Sequence, residues 1–296
     1  MINLLNNFHV TPEEQPQLDS LSDGKLILTR HLLGKGTFGK VYRVDNCTHS
    51  YALKRMSTSP FDNPEDEEDC IMGRLVVENV HDLAPLLSQC PLFVKLYAFS
   101  NPASLNPYYV SEYIFGLSVA DLLEEPVSLS FKVHALFSYA SMLTFLHEKG
   151  YVFVDNKWDS LLYSHGSFRV IDPDFISQAG KPHVLDRFIY VPCTELYASR
   201  EQLSQLAHED EASSFLVQPL HDTESLAMMT DALFNNLNYP TIRRHYFRGV
   251  EEHLSYPKER REKLPQPLQE IVGELLAKQR NDSITIKDMM DAIEKL

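Results

Sequence analysis

The sequence predicts an α+β chain of two lobes, a small strand-rich lobe up to residue 114 and a larger helical lobe from residue 115 onward. Three observations predict it. Apolar and polar residues alternate in short runs between residues 25 and 114, with turn residues separating the runs, which is the period of strands. From about 115 the apolar spacing lengthens toward that of helices. No internal repeat or low-complexity tract interrupts either part. Two lobes imply a crevice, the usual place for a ligand site.

Residues 1–23 are polar and contain Pro and Glu, and read as an arm. From Lys25 the run KLILTRHLLGKGTFGKVYRV reads as two strands around a Gly-rich turn, and SYALKRM as a third. Pro64–Gln89 carries apolar residues at helical spacing behind an acidic start, EDEED. The helix dipole favours acids there, so a solvated helix end outweighs an acidic docking motif. Within that helix Ile71, Leu75, Glu78, Asp82 and Leu86 share one face. LFVKLYAF and PYYVSEYIF add two strands, making five strands and one helix before residue 115. FKVHALFSYASMLTFLHEKG reads as an amphipathic helix stopped at Gly150. Short strands YVFV, LLYSH and FRVID follow, then a loop-rich stretch and helices to Leu296. The expected organisation is an arm at 1–23, a first lobe at 24–114 and a second at 115–296.

The chain has 296 residues, 44% apolar and 23% charged, the mixture of a folded domain. At that length it buries about three quarters of its unfolded surface and needs no staples. Lys plus Arg is 27 and Asp plus Glu is 41, giving a net charge of -14. Such a surface repels phosphate backbones, which argues against nucleic acid as a partner. Cys47, Cys70, Cys90 and Cys193 form no CxxC pair, so neither a zinc site nor a disulfide framework is expected and a reducing compartment fits. No apolar run approaches the ~20 residues of a membrane span, and the start lacks the pattern of a secretory leader. The expected setting is the cytoplasm, or the host cytosol if the source is a pathogen.

The sharpest local signal is Gly34-Lys35-Gly36-Thr37-Phe38-Gly39. GxGxxG alone is weak, and here strand-like sequence flanks it on both sides rather than a strand and a helix. Glycines in such a turn let backbone N–H groups approach phosphate oxygens. On this motif alone an ordinary turn weighs equally. Lys54, in Ala52-Leu53-Lys54 one strand later, tips the balance toward a phosphate contact. Asp155, in Phe153-Val154-Asp155-Asn156-Lys157, and Asp172, in Val170-Ile171-Asp172-Pro173-Asp174, supply two further carboxylates. One aspartate aimed at an attacking hydroxyl and one at a metal are what phosphoryl transfer requires.

With these elements in this order, residues 27–293 resemble the eukaryotic-type protein kinases. The resemblance implies a bilobal protein-kinase-like fold, ATP as donor, Mg2+ (with Mn2+ as a substitute) and a protein hydroxyl as acceptor. It implies that Gly34, Gly36 and Gly39 cover the phosphates, that Val41, Ala52, Glu112 and Ile114 complete the nucleotide site, and that Lys54 holds the α- and β-phosphates. Ser111-Glu112-Tyr113-Ile114 resembles the gatekeeper and hinge, with a small serine as gatekeeper. Asp155 matches the catalytic-loop aspartate, and Lys157 two places on is typical of Ser/Thr kinases. Asp172 and Ser160 fall at the metal-binding positions. The helix acid that pairs with Lys54 is Glu78 by residue type and reach, with Asp82 as the alternative. Thr194…Tyr197…Glu201 follows the spacing of TPEYxAPE. Asp222-Thr223-Glu224-Ser225-Leu226-Ala227 resembles DxWSxG, which small-molecule kinases lack.

The pattern breaks at named places. HRD reads Phe153-Val154-Asp155, so no arginine stands ready to pair with a phosphorylated activation segment. Ser160 replaces asparagine, and a hydroxyl is a weaker metal ligand than a carbonyl or carboxylate. DFG is Asp172-Pro173-Asp174, where proline restricts the residue before it. Asp174 reads equally as an extra metal ligand and as a solvent-facing loop residue. The arginine that pairs with the acid at Glu201 is replaced by Ser283. His147 and Trp158 read as packing residues, and Cys193 has no base beside it. The Lys258–Lys263 cluster, with its interleaved glutamates, reads as a solvated helical face rather than a docking site.

Three functions fit: an active Ser/Thr-type protein kinase; a pseudokinase that binds nucleotide or a partner protein as a scaffold; and kinase-fold chemistry on a lipid or sugar. Retention of Lys54, Asp155, Lys157 and Asp172 favours the first, and Lys157 and Thr194 speak against the third.

Overall fold

The computed structural model describes residues 27–36, 38–45, 48–56, 67–101, 104, 107–186, 193, 194, 196–207, 215–235, 258–277 and 281–296. The expected arm at 1–23, Thr37, Cys47 and the expected helix start at Pro64 lie outside the described residues. Two compact units result, one ending at Phe115 and the other beginning at Gly116.

Among the described residues, the first unit is an antiparallel sheet with one helix. Its strands are β1 (Ile27–Gly36), β2 (Gly39–Asp45), β3 (Ser50–Met56), β4 (Leu96–Phe99) and β5 (Tyr108–Glu112). They lie in the order β1-β2-β3-β5-β4. Alternation divides the sheet into two faces. Val44, Tyr51, Leu53, Tyr108 and Val110, with Ala98 of β4, form a buried cluster.

Helix α1 (Glu67–Leu87) packs on β4 and β5. Its buried face runs through Val76, Val80, Leu83 and Leu87. The stripe of Ile71, Leu75, Glu78, Asp82 and Leu86 lies together on the other, half-exposed side. The helix carries two apolar stripes, and periodicity cannot choose between them. The choice falls to the valines, which bury the most compact apolar surface against the sheet.

The second unit is helical. After β6 (Leu117–Ser118) and the single turn α2 (Val119–Leu122), α3 (Leu129–Glu148) begins at Ser128, whose hydroxyl accepts the Phe131 N–H at 3.2 Å. It stops at Gly150, whose φ of +79° suits glycine. Helix α3 is long and apolar enough to cross a membrane by length and composition alone. Burial accounts for that composition, since Leu136, Tyr139, Met142, Leu143 and Leu146 are solvent-free in the core of this unit.

The strands β7 (Tyr151–Val152), β8 (Leu161–Ser164), β9 (Ser167–Val170) and β10 (Ser177–Gln178) follow, with β6, β8 and β9 forming one small sheet and β7 and β10 another. Helices α4 (Arg200–Ala207), α5 (Pro219–Asn235), α6 (Lys258–Arg261), α7 (Gln266–Leu275) and α8 (Ile286–Ile293) follow among the described residues. Helix α5 is buried from His221 to Leu233, polar residues included. Lys258 of α6 and Glu262 just after it are exposed and 3.5 Å apart, as a solvated face requires. Arg260 departs from that face: it pairs with buried Asp231, and burial pushes its guanidinium down to about 10.

Candidate active site

In the first unit the strand register collects the expected nucleotide-facing residues. Val41 pairs with Lys54, and Ala52 pairs with Arg43 on one side and Ser111 on the other. Paired residues share a face, so Val41, Ala52, Lys54 and Ser111 stand together, opposite the buried Tyr51–Leu53–Val110 face. Val41, Ala52 and Lys54 are half-buried. Glu112 ties the end of β5 to Lys95, whose carbonyl accepts the Glu112 N–H at 2.8 Å while the Glu112 carboxylate accepts the Lys95 N–H at 3.3 Å. Ile114 follows, half-buried, and the Arg43 guanidinium lies 5.0 Å over the Tyr113 ring between them.

The glycines of the β1–β2 turn are glycine for different reasons. A Cβ on Gly39 would collide with the Arg55 carbonyl oxygen, so packing demands its absence. On Gly34 or Gly36 a Cβ would meet nothing within 4 Å, and neither residue has a positive φ. Neither packing nor backbone conformation calls for glycine there. The property left is free approach of an outside group to the backbone.

Glu78 is half-buried on α1, whereas Asp82 is 83% exposed beside His81 at 3.4 Å. Both acids lie off the face that α1 buries against the sheet.

In the second unit one buried carboxylate organises the loop after β7. Asp222 of α5 is solvent-free and accepts from Phe153 N–H at 2.8 Å, Val154 N–H at 3.0 Å, Asn156 Nδ2 at 2.6 Å and His147 Nε2 at 2.9 Å. His147 is therefore more than the packing residue expected of it. Val154 has φ +74°, a region that β-branched residues rarely enter. Its carbonyl accepts Gln202 Nε2 at 3.1 Å. The Lys157 N–H donates to the Tyr139 hydroxyl at 3.2 Å, and total burial holds that phenol well above its ordinary range. The Trp158 indole packs at the same place and donates to the Met229 carbonyl at 3.1 Å, in keeping with a packing role.

The loop so held presents Asp155 with both oxygens engaged. Lys157 Nζ donates to Oδ2 at 2.7 Å and Thr194 Oγ1 to Oδ1 at 2.8 Å. Lys157 Nζ also lies 3.9 Å from Asp172 Oδ2. Asp155, Lys157, Thr194 and Asp172 thus converge, with a quarter of the Asp172 side chain exposed. Ser160 is solvent-free, and its hydroxyl has no hydrogen-bond partner among the described residues. Its carbonyl accepts the Ile171 N–H at 2.9 Å, which places it beside the residue preceding Asp172. A buried hydroxyl oxygen without a partner near a carboxylate fits the oxygen-only ligand set of Mg2+, which keeps water and phosphate oxygens as its other ligands. Among the described residues no group of three or more His, Cys, Asp or Glu side chains converges as a metal site.

Asp174 is 2% exposed, which corrects the solvent-facing alternative. Pro173, Phe175 and Ile176 around it are buried too, because β10 pairs with β7 (Ser177 with Val152, Gln178 with Tyr151) and draws the segment inward. Farther on, the Gly180 N–H donates to the Val217 carbonyl at 2.8 Å, and the Asp186 carboxylate accepts the Phe215 N–H at 2.7 Å.

Arg200, the neighbour of Glu201, makes an ion pair of its own with α5. Arg200 Nε lies 2.7 Å from Glu224 of α5, and Arg200 Nη2 donates to the Leu275 carbonyl at 2.9 Å. Ser283 instead donates to Asn281 at 2.6 Å. Sequence reasoning passed over Tyr139, Asn156 and Gln202. Of these only Gln202 had a signal, the S-x-x-Q pattern of Ser199 and Gln202 that marks a helix start.

Residues 28–292 match the model of the protein kinase domain. Among curated proteins, the chain is similar to the cAMP-dependent protein kinase catalytic subunit of Dictyostelium discoideum, 24% identical over 253 residues that cover 80% of this chain and 36% of that protein. It is also similar to protein kinase C eta type of Mus musculus and of Homo sapiens, each 28% identical over 193 residues, 56% of this chain and 26% of theirs. The chain spans about a third or less of the length of these relatives.

Proposed function

Because the chain belongs to the protein kinase family, we propose that it is an active Ser/Thr-type protein kinase that transfers the γ-phosphate of ATP to a protein hydroxyl. The observation that carries this reading is Asp155, whose carboxylate is fixed by Lys157 at 2.7 Å and Thr194 at 2.8 Å. A carboxylate oriented from both sides is suited to hold an attacking hydroxyl and accept its proton.

Gly34 and Gly36 let the β1–β2 backbone approach the phosphates, and Lys54 neutralises charge on the α- and β-phosphates. Lys157 stands within reach of both Asp155 and Asp172, where it neutralises charge on the transferring group. Asp172 and the Ser160 hydroxyl would hold Mg2+, which would supply positive charge against the transferring phosphoryl group. Asp155 keeps the acceptor in line, so catalysis here is mainly positioning. A second reading, a nucleotide-binding scaffold without transfer, is favoured by the losses at Val154, Ser160 and Asp174.

The test is thermal melting with ATP, with and without Mg2+ or Mn2+, beside radiolabel transfer by wild type and Asp155→Asn. Metal-dependent stabilisation with label lost about 100-fold or more in the variant supports the enzyme. Stabilisation with no label in either protein supports the scaffold.

A further inference from the structure

We propose that Gln202 is a positioning residue for Asp155, holding Val154 in its left-handed conformation so that the catalytic loop is set without a phosphorylated activation segment. The proposal rests on the kinase reading above. Valine at 154 offers no charge to a phosphate group. Its peptide groups are instead held from both sides, the N–H by Asp222 Oδ1 at 3.0 Å and the carbonyl by Gln202 Nε2 at 3.1 Å. A β-branched residue resists φ +74°. Asp155 follows directly, so any swing of the 154–155 peptide moves its carboxylate.

Gln202 is solvent-free, and both ends of its carboxamide are used. Ser199 precedes α4. The Gln202 N–H donates to Ser199 Oγ at 3.3 Å, and Gln202 Oε1 accepts the Ser199 N–H at 2.8 Å. This is a capping box, which Glu fills as well as Gln because only the side-chain oxygen takes part. An ionised glutamate has no hydrogen to donate to the Val154 carbonyl, and glutamine does. The helix start leaves the choice of amide unexplained; the catalytic loop explains it. The segment that bonds Asp155 through Thr194 therefore also holds the preceding residue through Gln202.

Gln202→Glu tests this, since it keeps shape and cap and removes the donor. Burial raises the pKa of the new carboxyl, and on protonation it regains an O–H that can donate to Val154. At about pH 8.5 the expected result is a kcat at least about tenfold below wild type with KM for ATP within about twofold. The ratio to wild type recovers by about pH 6, and backbone hydrogen exchange over residues 150–158, measured against wild type at each pH, loosens and tightens in step. Gln202→Met, which cannot donate at any pH, shows the loss at both. Unchanged turnover and unchanged exchange over 150–158 in Gln202→Glu overturn the proposal, as does a loss of turnover equal at both pH values. If wild type transfers no phosphate, the kinase reading fails. The exchange arm then decides alone: pH-reversible loosening of 150–158 upholds the hold of Gln202 on Val154, and unchanged exchange overturns it.

Discussion

Asp222 accepts the N–H of Val154 at 3.0 Å, and Val154 is the buried residue whose backbone lies at φ +74°. A non-glycine residue in that region costs on the order of 1–3 kcal/mol and persists only where its surroundings over-determine it. Here the surroundings are one carboxylate with four donors around it.

Asp222→Ala strands those donors in the core of the second unit. The unfolding free energy is expected to fall by about 3 kcal/mol or more, read from urea melts. Asp222→Asn keeps one acceptor oxygen and turns an amide toward a donor, so it should cost less than Ala and still more than about 1 kcal/mol. Melts equal to wild type in both variants would remove Asp222 from the role of anchor.

The two kinds of glycine in the β1–β2 turn separate stability from binding. Gly39→Ala forces a Cβ into the Arg55 carbonyl and should destabilise by about 1–3 kcal/mol. Gly36→Ala enters open space and should leave the apo protein within about 0.5 kcal/mol of wild type, while shrinking the rise in melting temperature that ATP produces. The reverse pattern, low apo stability with a full ATP response, makes Gly36 a structural glycine.

How much of this was legible follows from the range of the interactions. The strands of the first unit and α3 are local patterns: β3 covers Ser50–Met56, the run SYALKRM in full. The convergence of Asp155, Lys157 and Asp172 was legible because each sits in a short motif. What stayed hidden depends on contacts distant in sequence. Asp174 is polar and between loop-forming residues, and only the pairing of β10 with β7 buries it. Arg200 and Glu224 pair across 24 positions, and no local pattern carries that. His147 reads as the end of a helix until Asp222, 75 residues on, is placed against it.

His183 gives the second unit a pH dependence. Its side chain is buried, and desolvation pushes it down to about 4, outweighing the Phe175 carbonyl and the carboxylates of Asp186 and Asp155, which act in the opposite sense. The unfolded chain takes up this proton near pH 6.5 and the folded chain only near 4. Between those values the unfolded state binds more protons. The contribution of His183 is therefore complete above pH 6.5 and declines as pH falls toward 4, by about 3 kcal/mol in all. Urea melts of wild type and His183→Gln at pH 7 and about pH 4.5 should differ in slope by most of that amount. Equal losses in the two proteins would show that other groups carry the acid sensitivity.

Under the proposed function, Ser160 would join stability to metal use in one side chain. Its hydroxyl is buried with no hydrogen-bond partner among the described residues, which costs about 1–3 kcal/mol when nothing replaces water. Ser160→Ala removes that oxygen, so the apo protein should melt at or above the wild-type temperature. If the oxygen serves a cation, the same variant should need more Mg2+ to reach half of the ATP-dependent stabilisation, and Ser160→Asn, with a stronger carbonyl ligand, should need less. Melting curves across a Mg2+ series at fixed ATP read both effects. Three coincident Mg2+ dependences would leave Asp172 as the sole metal-facing side chain of the two and make Ser160 a plain core residue.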